Sequence, residues 1–160
     1  MTGYFSKPKE SNNNLSCILT LPFHQRKGYG KFLITFSYEL SIIENKIGTP
    51  EKPLSDLGRE TYLSWWAQRL VDFIRGRKGE GFTLSDISKE TAMTEEDIQF
   101  TMEQTGMVKF VNNQPHLCVD EDFLNDLYRK VGKPGKRVIR ENIHWIPFKL
   151  KWENSFGISL

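Results

Sequence analysis

The sequence predicts a mixed α/β (α+β) chain in two parts, residues 1-79 and 80-160. Three observations carry this. An apolar, β-branched run followed by a glycine-rich turn and a helical pattern fills the first part. Two helix-capping signatures ahead of a hairpin pattern fill the second, and the charge changes sharply where the parts meet. With 160 residues, 38% of them hydrophobic and 12% aromatic, the chain can bury a real core, which excludes collagen-like, low-complexity and fully disordered classes. Its two cysteines, Cys17 and Cys118, and three scattered histidines offer neither zinc-site spacing nor a disulfide scaffold, so a reducing compartment is expected. No apolar run approaches the roughly 18 residues of a membrane span, and the opening residues do not read as a signal peptide, so no membrane partner is expected.

Residues 3–7 form a short extended candidate, and 10–14 are polar and turn-rich. Residues 15–21, Leu-Ser-Cys-Ile-Leu-Thr-Leu, form a strand ended by Pro22, and a hairpin with the first strand is expected. Then come Gln25-Arg26-Lys27-Gly28-Tyr29-Gly30-Lys31 and a helix with Leu33, Phe36, Leu40 and Ile43 at helical spacing, stopped by Gly48 and Pro50. Strand, glycine loop and helix is the order a phosphate site needs. Glycines let backbone N–H groups approach an anion, and a helix amino terminus supplies unsatisfied donors and a positive dipole end. The segment fits neither Walker A nor Rossmann spacing. A plain strand-to-helix turn and a pyrophosphate site both remain open, and coenzyme A is the natural carrier for the second.

A proline-bounded loop, residues 50–58, holds Glu51 between Pro50 and Pro53 and leads to a second helix. Ser55 or Asp56 can cap it, and Leu63, Trp66, Leu70 and Phe73 form its apolar stripe. In the second part, Thr83-Leu84-Ser85-Asp86 and Thr94-Glu95-Glu96-Asp97 are capping signatures for two short helices with Ile87, Ile98 and Met102 inward. Strand candidates at 107–111 and 116–119 surround Asn112-Asn113, and 121–130 returns to helix. Two helices followed by a hairpin wing is a winged-helix-like order, which by itself suggests DNA binding. The charge argues otherwise: residues 80–126 carry 2 basic and 11 acidic side chains, which repel phosphates. Residues 127–151 carry 8 basic and 1 acidic, and read as an exposed loop that either touches DNA or an acidic partner or is a solvated linker into the 143–152 segment.

Taken together, residues 3–66 resemble the MYST family of lysine acetyltransferases. The segments that carry the resemblance are Gly3-Tyr4-Phe5-Ser6-Lys7, Cys17-Ile18-Leu19-Thr20-Leu21-Pro22, the 25–31 loop, Phe36-Ser37-Tyr38-Glu39-Leu40-Ser41, and residues 48–58. Asn14-Leu15-Ser16-Cys17, Gly48-Thr49-Pro50 and the closing Ser155-Phe156-Gly157-Ile158 look most like its fungal silencing-associated branch. The resemblance implies a partial GNAT-like acetyl-CoA-binding core over 1-79 and a substrate-flanking C-terminal subdomain and basic tail over 80-160. It implies that acetyl-CoA is the acetyl donor. It further implies a lysine acetyltransferase of the nucleus, acting on a histone tail or nucleosome, as a subunit of a multiprotein acetyltransferase complex.

By the same resemblance Glu51 is the general base on the substrate lysine. Cys17 is either a nucleophile that holds the acetyl group or a bystander to direct attack, and direct attack is the expectation because the thioester is already activated. The backbone of Ile18, Leu19 and Thr20 meets the acetyl and pantetheine part. Gln25, Arg26, Lys27, Gly28, Tyr29, Gly30 and Lys31 wrap the pyrophosphate, and Ser55 and Ser64 contact the cofactor from the far side. No metal ligand is implied. The family's zinc-finger module, first sheet strands and self-acetylated lysine precede the matched region, so an N-terminally truncated chain is expected. The alternative is a non-catalytic interaction module or an inactive fragment.

Overall fold

The computed structural model describes residues 1–9, 11–77, 79–132 and 134–147. In chain order the elements are β1 (Gly3–Phe5), β2 (Asn13–Leu15), β3 (Ile18–Thr20), a 3₁₀ turn at Pro22–His24, α1 (Tyr29–Ile43), β4 (Thr49–Pro50) and α2 (Asp56–Arg77). They continue with α3 (Leu84–Thr91), α4 (Glu95–Thr105), β5 (Val108–Val111), β6 (Gln114–Leu117), α5 (Glu121–Lys130) and a second 3₁₀ turn at Arg140–Asn142. This is the mixed helix-and-sheet architecture that the sequence predicts. Lys133, Trp152 and the 155–158 segment lie outside the described residues.

Ser55 starts α2 as the sequence predicts, its Oγ accepting from the Gly58 N–H at 3.1 Å and its carbonyl from the Arg59 N–H at 2.7 Å. Over 22 residues α2 carries Tyr62, Trp65, Trp66, Leu70, Val71 and Phe73 into the core, and it touches α1, α3, α4 and α5. Trp66 donates its indole N–H to the Tyr38 hydroxyl (2.9 Å) and Trp65 donates to Thr35 Oγ1 (2.8 Å), so both large rings bury without orphaning a donor. The Tyr38 and Trp65 rings stack at 4.4 Å. One cluster of buried apolar side chains runs from Leu15 and Ile34 through α2 to Ile87, Ile98, Met107 and Leu124.

Three local expectations change. The 15–21 run is not one strand: it breaks at Ser16 and Cys17, and β2 and β3 on either side go to different partners. β1 pairs antiparallel with β3, whereas β2 pairs parallel with β4. The break lets one short run serve two sheets. The inward face of α1 also differs, burying Ile34, Ser37, Tyr38, Leu40 and Ser41 and leaving Leu33 and Ile43 partly exposed. The helix is pressed from two sides, with Phe36 against Phe5 of β1 (5.9 Å) and Tyr38 against Trp65 of α2. Ser37 and Ser41 tolerate burial there because their hydroxyls donate to the carbonyls of Ile34 (2.8 Å) and Ser37 (3.2 Å). Third, the basic stretch after α5 is not simply an exposed loop. Its charged side chains reach solvent, but its backbone lies along α1, as described below.

The second part forms the predicted two helices, hairpin and helix. Thr83 and Thr94 cap α3 and α4, and Asn112 and Asn113, both at positive φ, turn the β5–β6 hairpin.

Candidate active site

The site is built on β3. Thr2 and Ser6, which flank β1, exchange backbone bonds with the residues that flank β3: the Leu21 N–H donates to the Thr2 carbonyl (3.0 Å) and the Ser6 N–H to the Cys17 carbonyl (2.9 Å). Because an antiparallel ladder alternates, Leu19 faces β1 with its backbone groups, while Ile18 and Thr20 turn theirs to the opposite edge. That distinguishes the three residues of the predicted contact. Ile18 and Thr20 can offer backbone to a ligand lying along the edge, and Leu19 cannot.

At the Thr20 end stands the glycine loop. Gln25 Nε2 donates to the Thr20 carbonyl at 3.2 Å, tying the loop to the strand. Arg26 and Gly28 both adopt positive φ, and Gly28, at φ 84°, is the N-cap of α1. A side chain at position 28 is strained whatever space is available, so the glycine is required by the turn itself. α1 opens at Tyr29 with no side-chain cap on Gly28, and the first helical bond runs from the Phe32 N–H to the Gly28 carbonyl at 3.0 Å; a helix amino terminus of this kind favours an anion. Gly30 faces Thr61 of α2 and the Thr20 hydroxyl, at 3.8 and 3.9 Å from where a Cβ would be, which closes the corner between strand and helices.

The basic segment after α5 packs onto this corner. The Val131 carbonyl accepts from Lys31 Nζ at 3.2 Å and from Ser64 Oγ at 2.5 Å, and Gln68 Nε2 donates to the Gly132 carbonyl. Burial lowers the pKa of the Lys31 ammonium from its ordinary value. Gly135 lies so close to α1 that a Cβ there would sit 2.6 Å from the Lys31 Cβ and 3.0 Å from the Phe32 nitrogen. Lys136 Nζ then stands 5.0 Å from the centre of the Tyr29 ring. Further on, Arg140 Nε meets Glu39 at 2.6 Å, and Trp145 donates to Glu44 at 3.0 Å. Sequence reading missed Gly135 and Lys136 as parts of the loop's surroundings. The available signal was Pro134-Gly135 inside a run of cations.

At the other end of β3 stand Cys17 and Glu51. Cys17 is exposed, and its backbone is fixed by Ser6, whose Oγ accepts from the Cys17 N–H at 3.1 Å. Glu51 follows β4 directly, and its N–H donates to the Leu15 carbonyl at 2.8 Å, two residues before Cys17. Its side chain is exposed. Ser55, at the head of α2, accepts the Gly58 N–H on its Oγ, and Ser64 donates its hydroxyl proton to the Val131 carbonyl. Behind this end lie Tyr38 and Tyr62, whose phenols burial pushes well above their ordinary range. Among the described residues no group of His, Cys, Asp and Glu could hold a metal ion, and no helix is long and apolar enough to cross a membrane.

A strand edge with a helix amino terminus at one end and a carboxylate at the other characterises an α+β protein suited to an extended, phosphate-bearing ligand. The chain belongs to the MOZ/SAS family, whose model matches residues 1–143. It is 44% identical over 151 residues to the histone acetyltransferase of the MYST family 1 of Arabidopsis thaliana, covering 93% of this chain and 34% of that one. It is 42% identical over 149 residues to the histone acetyltransferase esa-1 of Neurospora crassa (91% and 29%), and 43% over 140 residues to the histone acetyltransferase mst1 of Schizosaccharomyces pombe (86% and 30%). The chain therefore spans about a third of the length of the curated relatives it matches.

Proposed function

We propose that this chain supplies the acetyl-CoA-binding and lysine-deprotonating part of a histone lysine acetyltransferase. The observation that supports the reading is the order along β3: Gln25 of the glycine loop bonds to the Thr20 carbonyl at one end, and the Glu51 N–H bonds to the carbonyl of Leu15, two residues before Cys17, at the other. Acetyl-CoA laid along the open edge, bonded to the backbone of Ile18 and Thr20, puts its pyrophosphate on the amino terminus of α1 with Arg26, Lys27 and Lys136 around it. Its thioester then reaches the Cys17 and Glu51 end. There Glu51 takes a proton from the ε-ammonium of the substrate lysine. The freed amine attacks the acetyl carbonyl and the C–N bond forms; as the C–S bond breaks, the extra proton on the attacking nitrogen passes to the departing coenzyme A thiolate, leaving the neutral amide and coenzyme A thiol.

In this reading residues 1-79 are a partial GNAT-like core and residues 80-160 a winged-helix-like subdomain with a basic tail. The enzyme works in the nucleus on a histone tail or nucleosome, as a subunit of a multiprotein complex, with the outward cations of the basic segment available to DNA. The names of the relatives and the family membership support the substrate class. The test is calorimetric titration of the intact protein with acetyl-CoA, paired with acetyl transfer to a histone-tail peptide. The reading requires binding and transfer by the parent and loss of both in a folded Gly28→Val variant. Undiminished affinity in that variant sinks it.

A further inference from the structure

The pattern Thr-x-x-Asp occurs twice, at 83–86 and at 94–97, each time opening a helix. At the first, the capping box is closed: the Asp86 N–H donates to Thr83 Oγ1 at 3.2 Å, and the Thr83 N–H donates back to Asp86 Oδ2 at 2.8 Å. The second makes only half of it. The Asp97 N–H donates to Thr94 Oγ1 at 3.2 Å, but the Asp97 carboxylate turns away from its own helix end. Its Oδ2 accepts from Thr49 Oγ1 at 2.7 Å, and its Oδ1 takes Lys52 Nζ at 3.0 Å. Asp97 is 2% exposed, whereas Asp86 stays at the surface in its box.

Thr49 and Lys52 bracket Pro50 and Glu51. The Asp97 carboxylate therefore holds both sides of the segment that presents Glu51, while the Glu51 N–H is held from the front by Leu15. A buried carboxylate costs free energy unless it is paired, and each of its oxygens has a partner on this one four-residue stretch. A closed capping box would have satisfied the aspartate locally, as Asp86 demonstrates. We infer that Asp97 is a positioning residue for the acetyl-transfer reaction, a buried clamp from α4 that fixes the Glu51 carboxylate relative to the Cys17 end of β3. The inference rests on the reading of Glu51 as general base. Through the clamp, the helical second part of the chain sets the geometry of a group carried by the first.

The geometry gives the clamp a distinct kinetic signature. Loosening the segment misplaces the base without touching the phosphate end of β3, so kcat falls while the affinity for acetyl-CoA holds. The experiment uses the intact protein with acetyl-CoA and a histone-tail peptide. Thr49→Val removes one strut of the clamp and is expected to lower kcat about tenfold or more, with the KM for acetyl-CoA within about twofold of the parent. Thr49→Ser, which keeps the hydroxyl, is expected to restore kcat. Asp97→Asn, which keeps an acceptor for Thr49 but loses the ion pair with Lys52, is expected to fall between them.

The decisive measurement is the same Thr49→Val change in a Glu51→Gln background. If Asp97 acts through Glu51, the change there costs less than twofold, because a base already removed cannot be misplaced. A loss in that background equal to the loss in the parent overturns the inference, as does a parent-like kcat for Thr49→Val. If Glu51→Gln alone retains full activity, the reading of Glu51 as base has failed instead, and the two failures are distinguished. Binding of acetyl-CoA by each variant reports that it has folded.

Discussion

The ammonium of Lys136 stands 5.0 Å above the ring of Tyr29, the first residue of α1. A contact between residues 107 positions apart thus pins the basic segment to the glycine loop, and it sets a cation beside the first residue of α1. Lys136→Ala removes a cation–π contact of about 0.5–1 kcal/mol and, with acetyl-CoA lying as proposed, a charge near its pyrophosphate. The expected result is acetyl-CoA affinity lower by roughly three- to tenfold, with a shallower dependence on salt, since one fewer exposed charge is screened. Calorimetry at two ionic strengths checks it. Unchanged affinity at low salt would remove Lys136 from the site.

Glu51→Gln keeps the shape of the side chain and its backbone bond to Leu15 but removes the proton acceptor. Acetyl-CoA affinity is expected to survive while turnover falls by roughly two to four orders of magnitude. Steady-state rates on a histone-tail peptide, with binding measured separately, decide it. Near-normal turnover means that another group accepts the proton.

Cys17 is exposed at the end of β3, with its backbone fixed by Ser6. If the lysine attacks acetyl-CoA directly, Cys17→Ser retains most of its activity, and this is the expected outcome. An obligatory acetyl-cysteine would leave the serine variant nearly inactive, because a hydroxyl lacks the nucleophilicity of a thiolate. Rapid-quench trapping of an acetylated Cys17 that forms and discharges as fast as turnover would overturn direct attack.

Asp86 supplies the pH-dependent prediction. Hydrogen bonds from the Thr83 hydroxyl and N–H hold its carboxyl below its ordinary value. A depressed folded-state pKa means that the charged form is favoured by folding. The cap therefore stabilises at pH values above the unfolded carboxyl's value of about 3.9, and it is lost as the pH falls through and below that. Asp86→Asn is expected to lower the denaturation midpoint at pH 7, and the gap to the parent is expected to narrow on acidification towards pH ~3. A gap that stays constant over that range contradicts the assignment.

Much of this was legible in the chain itself. Interactions within a few residues decide where helices begin, so Ser55, Thr83, Thr94 and the 25–31 glycine loop announced α2, α3, α4 and α1 before any packing was known. The same local chemistry put Asn112-Asn113 at the tip of a hairpin and returned the chain to helix at Glu121–Lys130. The inward face of α1 was misread because hydrophobic spacing assumes a single buried side, and this helix has two.

What the sequence determined alone was the order of the helices, their caps and the glycine-rich turn ahead of α1, since each depends on bonds closed within one or two turns of chain. The tertiary structure alone decided that β2 leaves the 15–21 run to pair with β4, and that Lys136 reaches Tyr29. It also decided that Asp97, identical in local pattern to Asp86, abandons its own cap for Thr49, 48 residues earlier. The physical reason lies in burial. A solvated aspartate is satisfied by the nearest backbone N–H, whereas one carried into the interior by the packing of α4 on α2 bonds to whatever donors the fold brings there.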